Sequence, residues 1–289
     1  MKTGLLLVAA LTITESCVPK YSSDPPNCVC GQPLSRRRIV GGVPAKEDQY
    51  PWQVALLRSQ DPSSFFCGGS LLSSDTVLTA AHCVVNPFGP SSSSVYVAFP
   101  QGDVTLQTAK MIEASEILPH PYYTSFPTNN DFAIIKLSSP VQFDDSTQPI
   151  CLPNPTEDYD DSLAEVTGWG QIGPSSGLSQ DLLTINVTTI SNIQCQNLVE
   201  NLTGTNYKIS SNEICALFPG KSPCYGDSGG PLITLNLAGS YYSQIGVVSH
   251  GLPSYEFACS GPGVYGRVTK QLYWIIKQIT RDVCPYPST

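Results

Sequence analysis

Apolar and β-branched residues gather in short runs at 53–57, 70–79, 94–98, 131–137, 163–168, 244–249 and 263–268. Between the runs lie clusters of Pro, Gly, Ser and Asn, residues that favour reversals of chain direction. Regular short strands with turn signals, and few helical periods, predict an antiparallel sandwich or barrel. One helical period stands out near the C-terminus, where Leu272, Ile275, Ile276 and Ile279 share a face behind Thr269, a candidate N-cap. That stripe is expected to pack on the core. No internal repeat is visible, and Gly41-Gly42 and Gly68-Gly69 lack the pattern of a phosphate-binding loop.

The first residues break this pattern. Lys2, the apolar run from Leu5 to Leu11 and the small or polar residues up to Ser16 have the layout of a secretory signal peptide, residues 1–16. The run is shorter than the roughly 20 residues that span a bilayer, so no membrane anchor is expected. Residues 17–38 are rich in Pro, Ser, Cys and Arg, show no periodicity and end in Arg36-Arg37-Arg38, which reads as a linker or pro-segment. The folded domain is expected over 39–289, within a chain of 289 residues that can bury one large all-β core.

Composition then narrows the chemistry. Eleven cysteines in a secreted chain point to disulfides; cleavage after Ser16 leaves Cys17 at the new N-terminus and one thiol over, whereas cleavage that also removes Cys17 leaves ten that can all pair. His82, His120 and His250 are scattered, there is no Cys-x-x-Cys pair, and Cys28-x-Cys30 is too tight for a zinc knuckle. No metal and no cofactor are therefore expected. From Ile39 onward 10 Lys and Arg oppose 21 Asp and Glu, a formal charge of −11. Such a surface repels nucleic acid and heparin and keeps a secreted protein soluble. Asn186-Val187-Thr188 and Asn201-Leu202-Thr203 fit the glycosylation sequon.

Two segments carry reactive side chains in a telling setting: Gly226-Asp227-Ser228-Gly229-Gly230-Pro231 and Thr79-Ala80-Ala81-His82-Cys83. An alcohol is a poor nucleophile at neutral pH, so a hydrolytic serine needs a base for its proton and backbone donors for the oxyanion. Ser228 among glycines has room for such donors, because Gly226 lets its amide turn inward beside that of Ser228. His82 is the obvious base, since an imidazole can accept a proton and return it within one cycle. The constellation points to a nucleophilic serine hydrolase.

With Ile39-Val40-Gly41-Gly42, Asn130-Asp131, Gly168-Trp169-Gly170 and Gly261-Pro262-Gly263-Val264-Tyr265 added, the chain resembles the chymotrypsin/trypsin-type serine endopeptidases from Ile39 to the terminal helix. The resemblance implies two packed six-stranded antiparallel β-barrels with a C-terminal α-helix. It implies that Ser228 attacks the scissile carbonyl, His82 is base and then acid, Asp131 orients the imidazole, and the amides of Gly226 and Ser228 hold the oxyanion. It further implies a zymogen, in which a trypsin-like activator cuts Arg38-Ile39 and the new ammonium pairs with Asp227. Disulfides Cys67–Cys83, Cys195–Cys215 and Cys224–Cys259 follow by the same matching, with Cys28 or Cys30 tied to Cys151.

The family's primary specificity pocket maps to Ser222 at its base and to Gly251 and Gly263 on its walls. A neutral base leaves a buried Lys or Arg unpaired, so cleavage after Phe, Tyr, Leu or Met is expected. Elastase-like specificity is the alternative, and a secreted binding protein without catalysis is the alternative from another class. Expected partners are polypeptide substrates, an activating protease and protein protease inhibitors, with the enzyme a monomer. Departures from the pattern are His250 where the family usually has Trp, an altered loop around Cys259, and Phe65 where digestive members often carry a histidine that restrains the zymogen.

Overall fold

The computed structural model describes residues 29–32, 43–85, 94–101, 105–171, 176–204, 207–217, 226–236, 239–251 and 261–281. The signal peptide, most of the pro-segment and the Arg38-Ile39 bond lie outside the described residues.

A short strand β1 (Val43–Pro44) precedes the first barrel, which is built from β2 (Gln53–Leu57), β3 (Phe65–Ser73), β4 (Thr76–Thr79), β5 (Tyr96–Phe99), β6 (Lys110–Pro119) and, after the hairpin β7 (Thr124–Ser125) and β8 (Thr128–Asn129), β9 (Ala133–Leu137). Those six strands close in the order β2-β3-β4-β9-β6-β5. The single run expected over 70–79 is in fact the end of β3 and all of β4, folded back on each other so that Ser73 pairs with Thr76 across the Ser74-Asp75 turn. Asp75 drives that reversal by accepting from the Ser73 and Thr76 hydroxyls.

The second barrel takes β10 (Leu163–Gly168), β11 (Leu183–Ile190), β12 (Glu213–Leu217), β13 (Pro231–Leu235), β14 (Tyr242–Gly251) and β15 (Gly263–Arg267). It closes because β11 pairs with both β10 and β12, and β1 is appended to its outer side. The fold is therefore two six-stranded antiparallel β-barrels. Each barrel has its own apolar filling, Val54, Leu56, Leu71, Val97 and Ile135 in the first and Val166, Ile214, Leu232, Ile245 and Val248 in the second. A third cluster, with Trp52, Leu78, Phe132, Trp169 and Val247, joins them. Polar pairs cross the same seam: Ser70 Oγ donates to Gln244 Oε1 at 2.6 Å and Thr167 Oγ1 to Gln53 Oε1 at 2.6 Å.

Helix α1 (Ala81–Val84) is one turn at the end of β4, α2 (Asn192–Thr203) follows β11, and α3 (Leu272–Gln278) ends the described chain. Leu272, Ile275 and Ile279 are buried against the seam cluster, as the stripe predicts. Thr269 is not the N-cap. It sits inside a 3-10 turn, Val268–Lys270, and Gln271 occupies the cap with no side-chain bond to the helix. The sequence signal for α2 was a capping box: the Ser191 side chain accepts from the Gln194 amide, and the Gln194 side chain accepts from the Ser191 amide. Its apolar face is narrow, with Cys195 and Val199 buried while Ile193 and Leu202 face solvent, so helical periodicity was weak.

Candidate active site

The reactive residues come together where the barrels meet. His82 lies in α1, directly after the end of β4. Its Nδ1 stands 2.7 Å from Asp131 Oδ2, and its backbone amide donates to Asp131 Oδ1 at 2.9 Å. A carboxylate only accepts, so Nδ1 carries the proton and Nε2 presents a lone pair away from Asp131. Asp131 is 3% exposed and His82 half-buried, which leaves the imidazole reachable from outside.

Asp131 is fixed by the residue before it. Asn130 adopts a left-handed φ of +49°, a conformation that Asn tolerates better than most residues. Its Oδ1 accepts from Asn212 Nδ2 at 3.1 Å and from Gln271 Nε2 at 2.9 Å, and its own Nδ2 donates to the Tyr122 carbonyl. Thus the N-cap of α3, the segment before β12 and the segment before β7 all grip the turn that aims the carboxylate. Burial alone would push the Asp131 carboxyl up. Bonds from the His82 ring, from Ser249 Oγ at 2.6 Å and from the His82 amide outweigh it and hold the group below the usual carboxylate range.

Ser228 sits in the tight turn before β13, half-buried. The turn is closed by the Gly230 amide donating to the Asp227 carbonyl at 2.9 Å, and is held to β14 by Gly229 N–H to Val248 O at 2.8 Å. Gly68 joins it to the first barrel, donating its amide to the Ser228 carbonyl at 2.8 Å and accepting at its own carbonyl from Thr79 Oγ1. A Cβ on Gly229, whose φ is +78°, would collide with Thr79 Oγ1 and come within 2.6 Å of the Gly68 carbonyl. Only glycine lets the serine turn press against the peptide just before His82. Gly226 has φ +100°, and among the described residues neither its amide nor that of Ser228 is used in a hydrogen bond. Both donors remain uncommitted.

The Asp227 carboxylate points the other way, into the seam, where its Oδ1 accepts from the Gly170 amide at 3.0 Å. Gly168 and Gly170 surround it so closely that a Cβ on either would overlap the carboxylate. Gly251 and Gly263 pair directly across β14 and β15, and a Cβ at Gly251 would meet nothing within 4 Å among the described residues. Ser222, Arg38, Ile39, Cys28, Cys224 and Cys259 lie outside the described residues.

Among the described residues three disulfides are present: Cys67–Cys83 beside His82, Cys195–Cys215 between α2 and β12, and Cys30–Cys151. Cys30 is thus the partner of Cys151, and the Gly31 amide adds a bond to the Pro149 carbonyl. Cys67, His82 and Cys83 also form a group dense enough to suggest a metal, but both sulfurs are consumed in one disulfide and offer no thiolate. Asn201 is exposed near the end of α2, whereas Asn186 is half-buried in β11 opposite Glu165. Among the described residues no helix is long and apolar enough to cross a membrane.

Sequence reasoning missed Ser249, the donor to Asp131, and the polar group around it formed by His250, Tyr207 and Glu213. Ser249 looks like any outward polar residue of a strand. Glu213 was the available signal, a charge opening the otherwise apolar run Glu213–Leu217, and it is 3% exposed.

Comparison with known proteins agrees with this geometry. The trypsin family model matches residues 39–275. The chain is 35% identical over 268 residues to serine protease filzig of Drosophila melanogaster, covering 89% of this chain but 15% of filzig. It is 32% identical over 257 residues to the clotting factor G beta subunit of Tachypleus tridentatus, covering 85% of this chain and 81% of that protein. A family match over most of the folded region, two closed barrels and a buried carboxylate on the histidine at their seam lead to one conclusion: the chain belongs to the trypsin family of serine proteases.

Proposed function

We propose that this trypsin-family chain is a secreted serine endopeptidase, made as a zymogen with residues 1–16 as signal peptide and 17–38 as pro-segment. A trypsin-like protease cuts Arg38-Ile39 and thereby activates it. Ser228 is the nucleophile, His82 the general base and acid, and Asp131 the carboxylate that fixes the imidazole tautomer. The amides of Gly226 and Ser228 receive the oxyanion. The reading rests above all on the His82–Asp131 contact of 2.7 Å, with the serine turn packed against the peptide that precedes His82.

After cleavage the Ile39 ammonium pairs with the buried Asp227 carboxylate, whose Oδ1 also accepts from the Gly170 amide. The Cys30–Cys151 bond keeps the pro-segment attached. Cleavage falls after Phe, Tyr, Leu or Met, because Gly251 and Gly263 put no side chain on the pocket walls and Ser222 supplies no charge at the base. Substrates are polypeptides, the regulators are protein inhibitors, and the enzyme acts as a monomer.

The test treats purified full-length chain with trypsin and follows the N-terminal sequence together with hydrolysis of peptides bearing Phe, Ala or Arg at the cleavage position. An Ile39 terminus appearing with activity on Phe is expected. Activity without that cleavage defeats the zymogen reading, and a preference for Arg or Ala defeats the pocket assignment.

A further inference from the structure

Behind Asp131 the hydrogen bonds do not stop at Ser249. Ser249 Oγ has a single proton and gives it to the Asp131 carboxylate at 2.6 Å. Its contact with His250 Nδ1 at 3.1 Å therefore runs the other way, with Nδ1–H donating to the serine oxygen. That fixes the second imidazole as the Nδ1–H tautomer and leaves Nε2 with a lone pair, which the Tyr207 hydroxyl meets at 2.9 Å. The chain of bonds is complete: Tyr207 to His250 to Ser249 to Asp131 to His82.

Glu213, on the neighbouring β12, closes the group. Its Oε2 accepts from the Ser210 amide at 2.7 Å, while Oε1 is fully buried, has no hydrogen-bond partner among the described residues and stands 4.0 Å from His250 Nε2. An unpartnered buried carboxylate oxygen is costly to keep ionised, and the neighbouring Asp131 charge adds to the cost. Burial first, then Asp131, pushes the Glu213 carboxyl up to about 7 against the pull of the Ser210 amide. Burial holds the His250 ring below its ordinary value, against Asp131 and together with His82. The charged and titratable groups facing this cluster are Asp131, His82 and Tyr207, with the Arg267 guanidinium committed to the Glu213 carbonyl and to Asp158, Asp160 and Asn192.

Resting on the protease reading above, we propose that Tyr207, His250 and Glu213 are positioning residues for catalysis: His250 holds Ser249 on Asp131, and Glu213 supplies a second buried negative charge that favours the His82 imidazolium formed in the transition state. The charge is switchable. When Glu213 is protonated it contributes nothing to the imidazolium; when ionised it raises kcat/KM, by about two- to tenfold.

The test compares the activated wild-type protein with Glu213→Gln, which keeps the shape and removes the charge. Profiles of kcat/KM against pH are expected to coincide below about pH 6, where wild-type Glu213 is protonated, and to separate by two- to tenfold above about pH 8. A purely structural role would lower the variant equally at every pH. Superimposed profiles, or a uniform offset, overturn the proposal. If Glu213→Gln fails to fold, the wild-type protein still decides, because nitrogen NMR of labelled histidine must show His250 as the Nδ1–H tautomer; the Nε2–H tautomer breaks the chain and the proposal with it. Labelling of Ser228 by a sulfonyl fluoride separates the two levels. No labelling of the activated wild type overturns the protease reading, whereas full labelling with coincident profiles overturns only this inference.

Discussion

Gly170→Ala tests the link between the seam and the serine turn. A Cβ built on Gly170 would lie no farther than 2.5 Å from Asp227 Cγ and both carboxylate oxygens. Nothing flexible separates them, because the amide of the same glycine is the donor that holds Asp227 Oδ1 at 3.0 Å. The carboxylate must swing away, and with it the backbone between Gly226 and Ser228. Overpacking of this kind costs about 1–3 kcal/mol, and loss of a hydrogen bond to a charged group a further roughly 1.5–3 kcal/mol. If the protein remains folded, a loss of about 3–6 kcal/mol from the active arrangement lowers kcat/KM by roughly 10²- to 10⁴-fold. Gly177→Ala is the control, since its Cβ would meet nothing within 4 Å and activity is expected to stay within about twofold. Both variants are activated with trypsin, then assayed for kcat/KM on a Phe peptide and for unfolding in urea. Gly170→Ala with wild-type activity and an unchanged urea midpoint would refute the reasoning.

Ser249→Ala removes the 2.6 Å donor to Asp131 and is expected to lower kcat/KM about 10- to 100-fold with the fold retained. The same variant should lose stability at pH 7 but not at low pH. Asp131 is held below its unfolded value of about 3.9, so its stabilising contribution is present above that pH and disappears as pH falls through the lower folded value; urea midpoints at pH 7 and pH 3 check this. Glu213 behaves with the opposite sign. Its folded value of about 7 lies above the unfolded value of about 4.3, so wild-type stability falls between those two pH values, and Glu213→Gln should show a flatter stability profile there. Replacing Cys195 and Cys215 together by Ala frees a loop with a sequence separation of 20 and should cost about 3 kcal/mol by urea unfolding.

Much of the candidate site was legible because the proposed chemistry needs particular residues in particular local settings. Glycines flank Ser228 since only they allow the turn to touch Gly68 and Thr79, and Asn130 precedes Asp131 since the chain there takes a left-handed step. Such requirements leave marks in a short window of sequence. Barrel strands with strong apolar runs, such as 163–168 and 244–249, were legible for the same reason. What escaped was long-range. Ser249 acquires meaning only because β14 passes beside Asp131, a residue 118 positions away. Glu213 sits beside His250 only because β12 and β14 both flank β15. Helix α2 lacked a broad apolar stripe because it packs one narrow face on the Cys195–Cys215 corner, and Thr269 was displaced as cap by a 3-10 turn that reorients the chain before α3.

The central claim is that Ser228 is the nucleophile of a trypsin-family endopeptidase and that His82 and Asp131 activate it. Mass spectrometry of the trypsin-activated protein after treatment with a sulfonyl fluoride tests it most directly. One adduct is expected, on the peptide carrying Ser228, abolished by His82→Ala and accompanied by loss of peptide hydrolysis. An unlabelled Ser228 in folded protein with a free Ile39 terminus, or hydrolysis that survives complete labelling, would contradict it.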